Sequence, residues 1–229
     1  MIIEKSPLAA CKHLIQEGGE CFNLLVSFPC IAASDESPLN DYDPQKILGS
    51  KYDRARDVAN TIFPSKTANN SKTRSDFYKR YKKAHSRSKK KSWGTYFLRQ
   101  IDFGNLKINQ LERLIHAVNT WPRKAYSAAF IMHLSSPETD KLRPLGGPCL
   151  QYIQIICPNL NELNLVAVYR NHDFCNKTLG NYFGLSRLLQ YVCSETSKEM
   201  GSVSCLSVHA YFNTSKMNLT RLIGAADDK

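Results

Sequence analysis

Pro148-Cys-Leu-Gln-Tyr-Ile-Gln-Ile-Ile156 and Leu163-Asn-Leu-Val-Ala-Val-Tyr-Arg170 are the stretch on which the fold turns. Both runs are apolar and rich in β-branched residues. Pro158-Asn-Leu-Asn161 stands between them, so 150–157 and 163–170 read as a hairpin. Downstream, Leu185, Leu188, Leu189 and Val192 recur at i, i+3, i+4, i+7, which predicts a helix over 183–196. Residues 202–212 then read as a further strand. Upstream, 7–17 is expected to be a helix ended by Gly18-Gly19, and 22–32 a strand broken by Pro29. Residues 33–46, with Pro38 and Pro44, read as a loop, and 50–62 as a helix ended by Pro64. Leu111, Leu114, Ile115 and Val118 mark a helix over 108–119 that Pro122 terminates. Residues 125–134 read as a strand and 135–140 as a loop. Helices and strands mix without strict alternation, and there is no internal repeat. The expected class is α+β.

The same region carries the residues with chemistry. Cys149 follows Gly146-Gly147-Pro148, and glycines permit a tight turn and close approach of a ligand. A lone cysteine is ordinarily a small buried hydrophobe, so the nucleophile reading needs a nearby cation to favour the thiolate. Arg170 is the candidate cation, and it could also touch a phosphate. Arg170 and Asp173 leave a strand for a loop, where sites are commonly built. A sheet-edge salt bridge is the plain alternative. Asn181 is either a turn or cap residue, or a reader of a base edge offering both donor and acceptor. His209 and Tyr211 share one strand face and could bind one hydroxyl, or be satisfied core groups. The remaining histidines show no metal-ligand spacing, and no metal is expected.

In order and spacing these pieces resemble the thymidylate synthase family, which includes the pyrimidine hydroxymethylases. Leu145-Gly-Gly-Pro-Cys149 is similar to the family's nucleophile loop. Leu165-Val-Ala-Val-Tyr-Arg-Asn-His-Asp173 is similar to its strand ending in Arg-Ser-x-Asp. Asn181 stands at the spacing of the base-reading asparagine, and Ser207-Val-His-Ala-Tyr211 is similar to its Asp-x-His-x-Tyr strand. Trp93-Gly-Thr-Tyr96, the 111–118 helix and Asn23-Leu-Leu-Val-Ser-Phe28 resemble upstream pieces. The match is good over roughly 93–212 and thin before it.

The resemblance implies a mixed twisted sheet packed against long helices, and a homodimer formed by back-to-back sheets. It implies addition of the Cys149 thiolate to C6 of a pyrimidine nucleotide, which makes C5 a nucleophile towards a one-carbon donor. Arg170 and Asp173 would assist, with Asn181, His209 and Tyr211 binding the substrate. Asparagine at 181 favours uracil or thymine over cytosine. The implied donor is methylene-tetrahydrofolate. Departures accompany the match. Leu150 replaces the family's histidine and Asn171 its serine. The cross-dimer arginine pair should fall near Ala125-Tyr126, with Arg123 and Lys124 out of register. No N-terminal phosphate arginine or proton-relay glutamate is found. The family's later strand and folate-closing tail have no counterpart after Tyr211. Two readings follow: a transferase acting at C5 of a uracil nucleotide, or a degenerate binder of nucleotide or nucleic acid within a larger complex.

At 229 residues and 42% apolar content the chain can bury a full core, and 1–229 is expected to be one domain. No apolar run is long enough for a membrane span and the N-terminus lacks a signal-peptide pattern. Eight cysteines without a CxxC pair read as reduced thiols of a cytoplasmic protein. The net charge of +11 concentrates in a basic insertion at about 66–92. Within it, 72–91 interleaves Lys and Arg with Phe77, Tyr78 and Tyr81. Arg80, Lys82, Lys83, Lys89, Lys90 and Lys91 could neutralise nucleic-acid phosphates. A charge run is ordinarily solvated, however, so 72–91 is expected to be exposed and mobile unless nucleic acid or an acidic partner protein orders it.

Overall fold

A computed structural model describes residues 2–4, 6–32, 36–86, 93–122, 124–141 and 146–227. Strand β1 (Ile2–Glu4) leads into helix α1 (Pro7–Gln16) and strand β2 (Glu20–Pro29). Ser6 caps α1 by accepting from the Ala9 N–H at 3.1 Å, and Pro7 at the first helical position has no N–H to satisfy. Two short helices follow, α2 (Pro38–Asp41) and α3 (Pro44–Leu48), where 33–46 was expected to be a loop. The prolines misled because each occupies the first turn of a helix, where it is tolerated. Residues 33–35 lie outside the described residues.

Helix α4 (Ala55–Ile62) begins later than expected. Tyr52 precedes it, its hydroxyl 2.7 Å from Thr214 Oγ1. Helices α5 (Ser65–Asn69) and α6 (Arg74–Ser86) occupy most of the basic stretch. The expectation of an exposed, mobile segment is therefore corrected for 74–86. Phe77 and Tyr78 are buried, and Phe77 packs against Phe63 and Phe97 at ring distances of 5.8 and 4.9 Å. One apolar stripe suffices to dock a helix whose other face is charged. Lys89, Lys90 and Lys91 lie outside the described residues.

Helices α7 (Tyr96–Ile101) and α8 (Gln110–Thr120) follow. In α8, Asn109 caps the Glu112 N–H at 2.9 Å, and the expected stripe is buried. The strand expected over 125–134 is instead a 3₁₀ turn, Lys124–Ala129, and a short strand β3 (Ile131–His133). Only those three positions pair with the hairpin. The hairpin itself is β4 (Leu150–Ile156) and β5 (Glu162–Tyr169), antiparallel in register. After β6 (His172–Asp173), helix α9 (Thr178–Thr196) starts five residues earlier than its stripe indicated. Strand β7 (Glu199–Tyr211) and helix α10 (Lys216–Asp227) complete the described chain.

The strands form one open sheet of mixed orientation, in order β1-β2-β7-β5-β4-β3, with β6 beside β7. β5 and β7 are parallel neighbours, and α9 is the crossover between them. The helix side of the sheet carries Leu24, Val26, Leu165, Ala167, Val203 and Cys205, all with 0% exposure. The opposite side is half-buried or exposed throughout its central rows. One row runs Ile131, Gln154, Val166, Ser204, Ser27, and the next His133, Tyr152, Val168, Leu206, Leu25. This mixed α/β architecture is compatible with the expected α+β class.

Helix α9 reaches the sheet because α4 lets it come close. An added Cβ on Gly180 would lie 2.4 Å from the Ala55 carbonyl oxygen, and one on Gly184 would lie 2.8 Å from Ile62 Cβ. Two glycines one turn apart thus bring the helix backbones into contact. They also fix the depth of Asn181, the residue after Gly180.

Candidate functional site

The mouth of the hairpin is built around the Tyr96 hydroxyl. It accepts the backbone N–H groups of Cys149 and Leu150 at 3.1 and 3.3 Å. Thr95 caps α7 by accepting from the Leu98 N–H at 3.1 Å, which positions Tyr96. Burial pushes the Tyr96 phenol up to about 12, so it stays protonated. Arg170 braces the other side. Its backbone N–H donates to the Cys149 carbonyl at 2.9 Å and its Nε donates to the Pro148 carbonyl at 3.1 Å. The guanidinium lies so close to Gly147 that an added Cβ there would sit 3.3 Å from Nη2. Arg170 thus packs closely on the loop that carries Cys149.

Cys149, Asp173, Asn181 and Tyr211 line one cavity of about 340 Å³, together with Val58, Trp93, Tyr96, Lys177 and others. Four of the six expected residues therefore meet in one place. Arg170 and His209 are not in its lining. Both His209 nitrogens have protein partners: Nδ1 is 2.8 Å from Asn171 Oδ1 and Nε2 is 3.1 Å from Glu20 Oε2. Its ring is stacked between Phe22 and Tyr211, at 5.0 and 5.3 Å.

Asp173 holds backbone rather than solvent. Its Oδ1 accepts from the N–H groups of Cys175 and Asn176 at 3.1 and 3.0 Å. Burial raises its pKa, opposed by those two bonds. Lys177 reaches Asp53, with which it forms an ion pair, and lines the cavity beside Asp173.

Asn181 sits inside α9, not in a turn, and is 4% exposed. Its Nδ2 is 3.0 Å from His172 Nε2. His172 Nδ1 is in turn 2.9 Å from Ser207 Oγ. The imidazole stacks on Tyr169 with centroids 4.1 Å apart and planes 4° from parallel. Full burial drives the His172 pKa down to about 3, so the ring is neutral at ordinary pH. Its two nitrogens then have opposite roles, one donor and one acceptor.

Sequence reading missed His172, Lys177 and Tyr96 as wall or support residues. His172 had a usable signal: it lies in a β-rich run three residues after an aromatic and nine before the asparagine. Behind the wall, Arg99 holds Trp93 in place. It donates to the Trp93 carbonyl at 3.0 Å and pairs with Asp140, Nη1 to Oδ2 at 2.7 Å. Arg123 and Leu145 lie outside the described residues, as do the side chains of 124–126. Among the described residues no group of three or more His, Cys, Asp or Glu could hold a metal ion. Nor, among them, is any helix long and apolar enough to cross a membrane.

No protein-family model matches the chain. It is similar to three archaeal proteins, each named "Putative thymidylate synthase". Identity is 25% over 107 residues with that of Methanosarcina barkeri and 26% over 107 with that of Methanococcoides burtonii. It is 27% over 109 with that of Methanosarcina acetivorans. These alignments span 46–47% of this chain and the same share of each relative, so the chain spans about half the length of the curated relatives it matches. They support a distant thymidylate synthase-like relationship.

Proposed function

We propose that the cavity binds a uracil nucleotide and that Cys149 attacks its ring, as in a thymidylate synthase-like transferase. The observation that carries this reading is the meeting of Cys149 and Asn181 in one cavity, although three strands and the start of a helix separate them in sequence. The Cys149 thiolate adds to C6, forming the C–S bond. The C5–C6 electron pair moves towards C5 and O4, and Asn181 holds the polar edge of the base. Arg170, packed on the loop, supplies positive charge that favours the thiolate. Asp173 rigidifies the turn that enters α9, and Tyr211 offers a hydroxyl at the sugar end. Among the described residues Lys177, which also pairs with Asp53, is a cation of the cavity wall that could meet a phosphate.

At about 340 Å³ the cavity is at the low end of ligand pockets. It is large enough for one nucleoside, and no step is routed through a folate.

The same reading takes the chain as a single cytoplasmic domain of the thymidylate synthase type. It pairs two copies through the uncovered sheet face, whose rows alternate Val166, Val168, Leu206 and Leu25 with Ser27 and Ser204. Nucleic-acid binding through α6 rests on its outer face, where Lys79, Arg80 and Lys83 are exposed. Lys82 is already paired with Asp102 at 2.6 Å.

One observation favours the binding-only reading: His209 and Asp173 are both engaged by protein groups. Intact-mass measurement after incubation with 5-fluoro-dUMP separates the two. A covalent adduct that disappears in Cys149→Ser is expected for the transferase. Non-covalent binding without an adduct would leave only the nucleotide binder, and no binding would refute both nucleotide readings.

A further inference from the structure

His172 and Ser207, linked to Asn181 in one buried chain, have no role in the site as described so far, yet His172 and Asn181 both line the cavity. A neutral imidazole offers one N–H and one lone pair. Two arrangements satisfy every group. In the first, Asn181 Nδ2–H donates to Nε2, and Nδ1–H donates to Ser207 Oγ. In the second, the amide is turned over, so that Nε2–H donates to Asn181 Oδ1 and the Ser207 hydroxyl donates to Nδ1. The geometry has Nδ2 on the histidine, which is the first arrangement.

The choice has a chemical consequence. An amide uses one hydrogen of its NH2 on the histidine and keeps the other beside Oδ1 as a coplanar donor–acceptor pair. Turning the amide over reverses the order of that pair. A pyrimidine edge is read by the same order: uracil presents O4 then N3–H, and cytosine N4–H then N3. We propose that His172, oriented by Ser207, is a positioning residue that fixes the direction of the Asn181 amide and thereby selects uracil over cytosine. The proposal rests on the reading of the cavity as a pyrimidine site.

Tyr169 strengthens it. Its ring covers the His172 face in parallel stacking and holds the imidazole plane, while the contacts to Ser207 and Asn181, which need a nitrogen at each position, oppose a half-turn within that plane. Neither Asn181 nor His172 reaches bulk water, at 4% and 1% exposure, so water cannot substitute for a lost partner without cost.

The test has two arms on the whole chain. Without ligand, long-range ¹H–¹⁵N correlation should show the His172 proton on Nδ1, and a proton on Nε2 would overturn the assignment whatever the protein binds. With ligand, calorimetry should show dUMP bound more tightly than dCMP by about tenfold or more, the scale of one mispaired donor–acceptor contact. His172→Phe, which keeps the stacking, and Ser207→Ala, a small change where the first variant fails to fold, should each narrow the ratio to about threefold or less. An unchanged ratio in the folded variants would refute the positioning role. Binding of neither nucleotide by the parent protein would overturn the pyrimidine reading and the selectivity with it. The ligand-free spectrum would still report whether the relay itself is correct.

Discussion

Gly180→Ala should destabilise this protein, although alanine is the better helix former. The substitution exchanges a residue about 1 kcal/mol less favourable than alanine in a helix interior, so propensity alone predicts a gain. Packing opposes it. The new Cβ would lie 2.4 Å from the Ala55 carbonyl oxygen and 2.5 Å from Val58 Cβ, where ordinary contact begins at 3.4 Å. Helices α4 and α9 must therefore separate by about 1 Å, and the obstacle is backbone rather than a flexible side-chain end. Overpacking of a close-packed interior costs about 1–3 kcal/mol, occasionally more. The net expectation is a loss of up to about 2 kcal/mol after the propensity gain. Val58 and Asn181 line the cavity from opposite helices, so the separation should also weaken nucleotide binding. Urea unfolding gives the first quantity and calorimetry the second. Gly224→Ala on α10 is the control, since nothing lies within 4 Å of its added Cβ, and it should stabilise by about 0.5–1 kcal/mol. If both alanines stabilise alike, the close approach of α4 and α9 is wrong.

Three further outcomes are expected. His172 has a folded pKa near 3 against an ordinary 6.5, so below pH 6.5 the unfolded chain binds a proton the native state refuses. Its burial therefore costs nothing above that range and erodes stability as pH falls towards 3, by up to about 4–5 kcal/mol; urea midpoints of His172→Phe should fall less steeply with acid than those of the parent. Asp140→Asn leaves the Arg99 guanidinium, only 10% exposed, without its carboxylate, and should cost about 3–5 kcal/mol in thermal or urea unfolding. A cost below 1 kcal/mol would mean that solvent screens the pair. If α6 binds nucleic acid, Lys79→Gln with Lys83→Gln should lower the slope of log affinity against log salt by about 1–2, whereas Lys82→Gln should change it less; no binding at about 50 mM salt removes that reading.

The hairpin was legible because two short apolar runs rich in β-branched residues flank Pro158-Asn-Leu-Asn161. The α8 stripe was legible because its apolar residues recur at helical spacing. Pro38 and Pro44 hid two helices, because proline stops a helix interior and starts a first turn, and only the backbone before it distinguishes the two. The start of α9 was hidden by Gly180, a weak helix former alone that becomes necessary only when α4 is present. In α6 the few buried aromatics were outvoted by lysines in any compositional reading. Cys149, Asp173, Asn181 and Tyr211 could be named because their order and spacing resemble those of the thymidylate synthase family. The Asn181–His172 contact could not. It depends on how far α9 tilts onto β6, which packing decides and local sequence does not encode. The Arg170 contact to Pro148 was equally hidden, since it follows from strand register across the hairpin.

The sheet ends in two very short strands, β1 with Ile2–Glu4 and β3 with Ile131–His133. A stray chain seeking to extend the sheet would meet a terminal strand of three residues at either margin, too short by itself to hold a further strand in register. Growth by edge addition, which has no natural end, is thus disfavoured. The broad face is different: any self-complementary contact made there is used up once two copies meet, because each hides the surface the other would need. If two copies pair through that face as proposed, concentrating the protein should drive association to a limit at the pair.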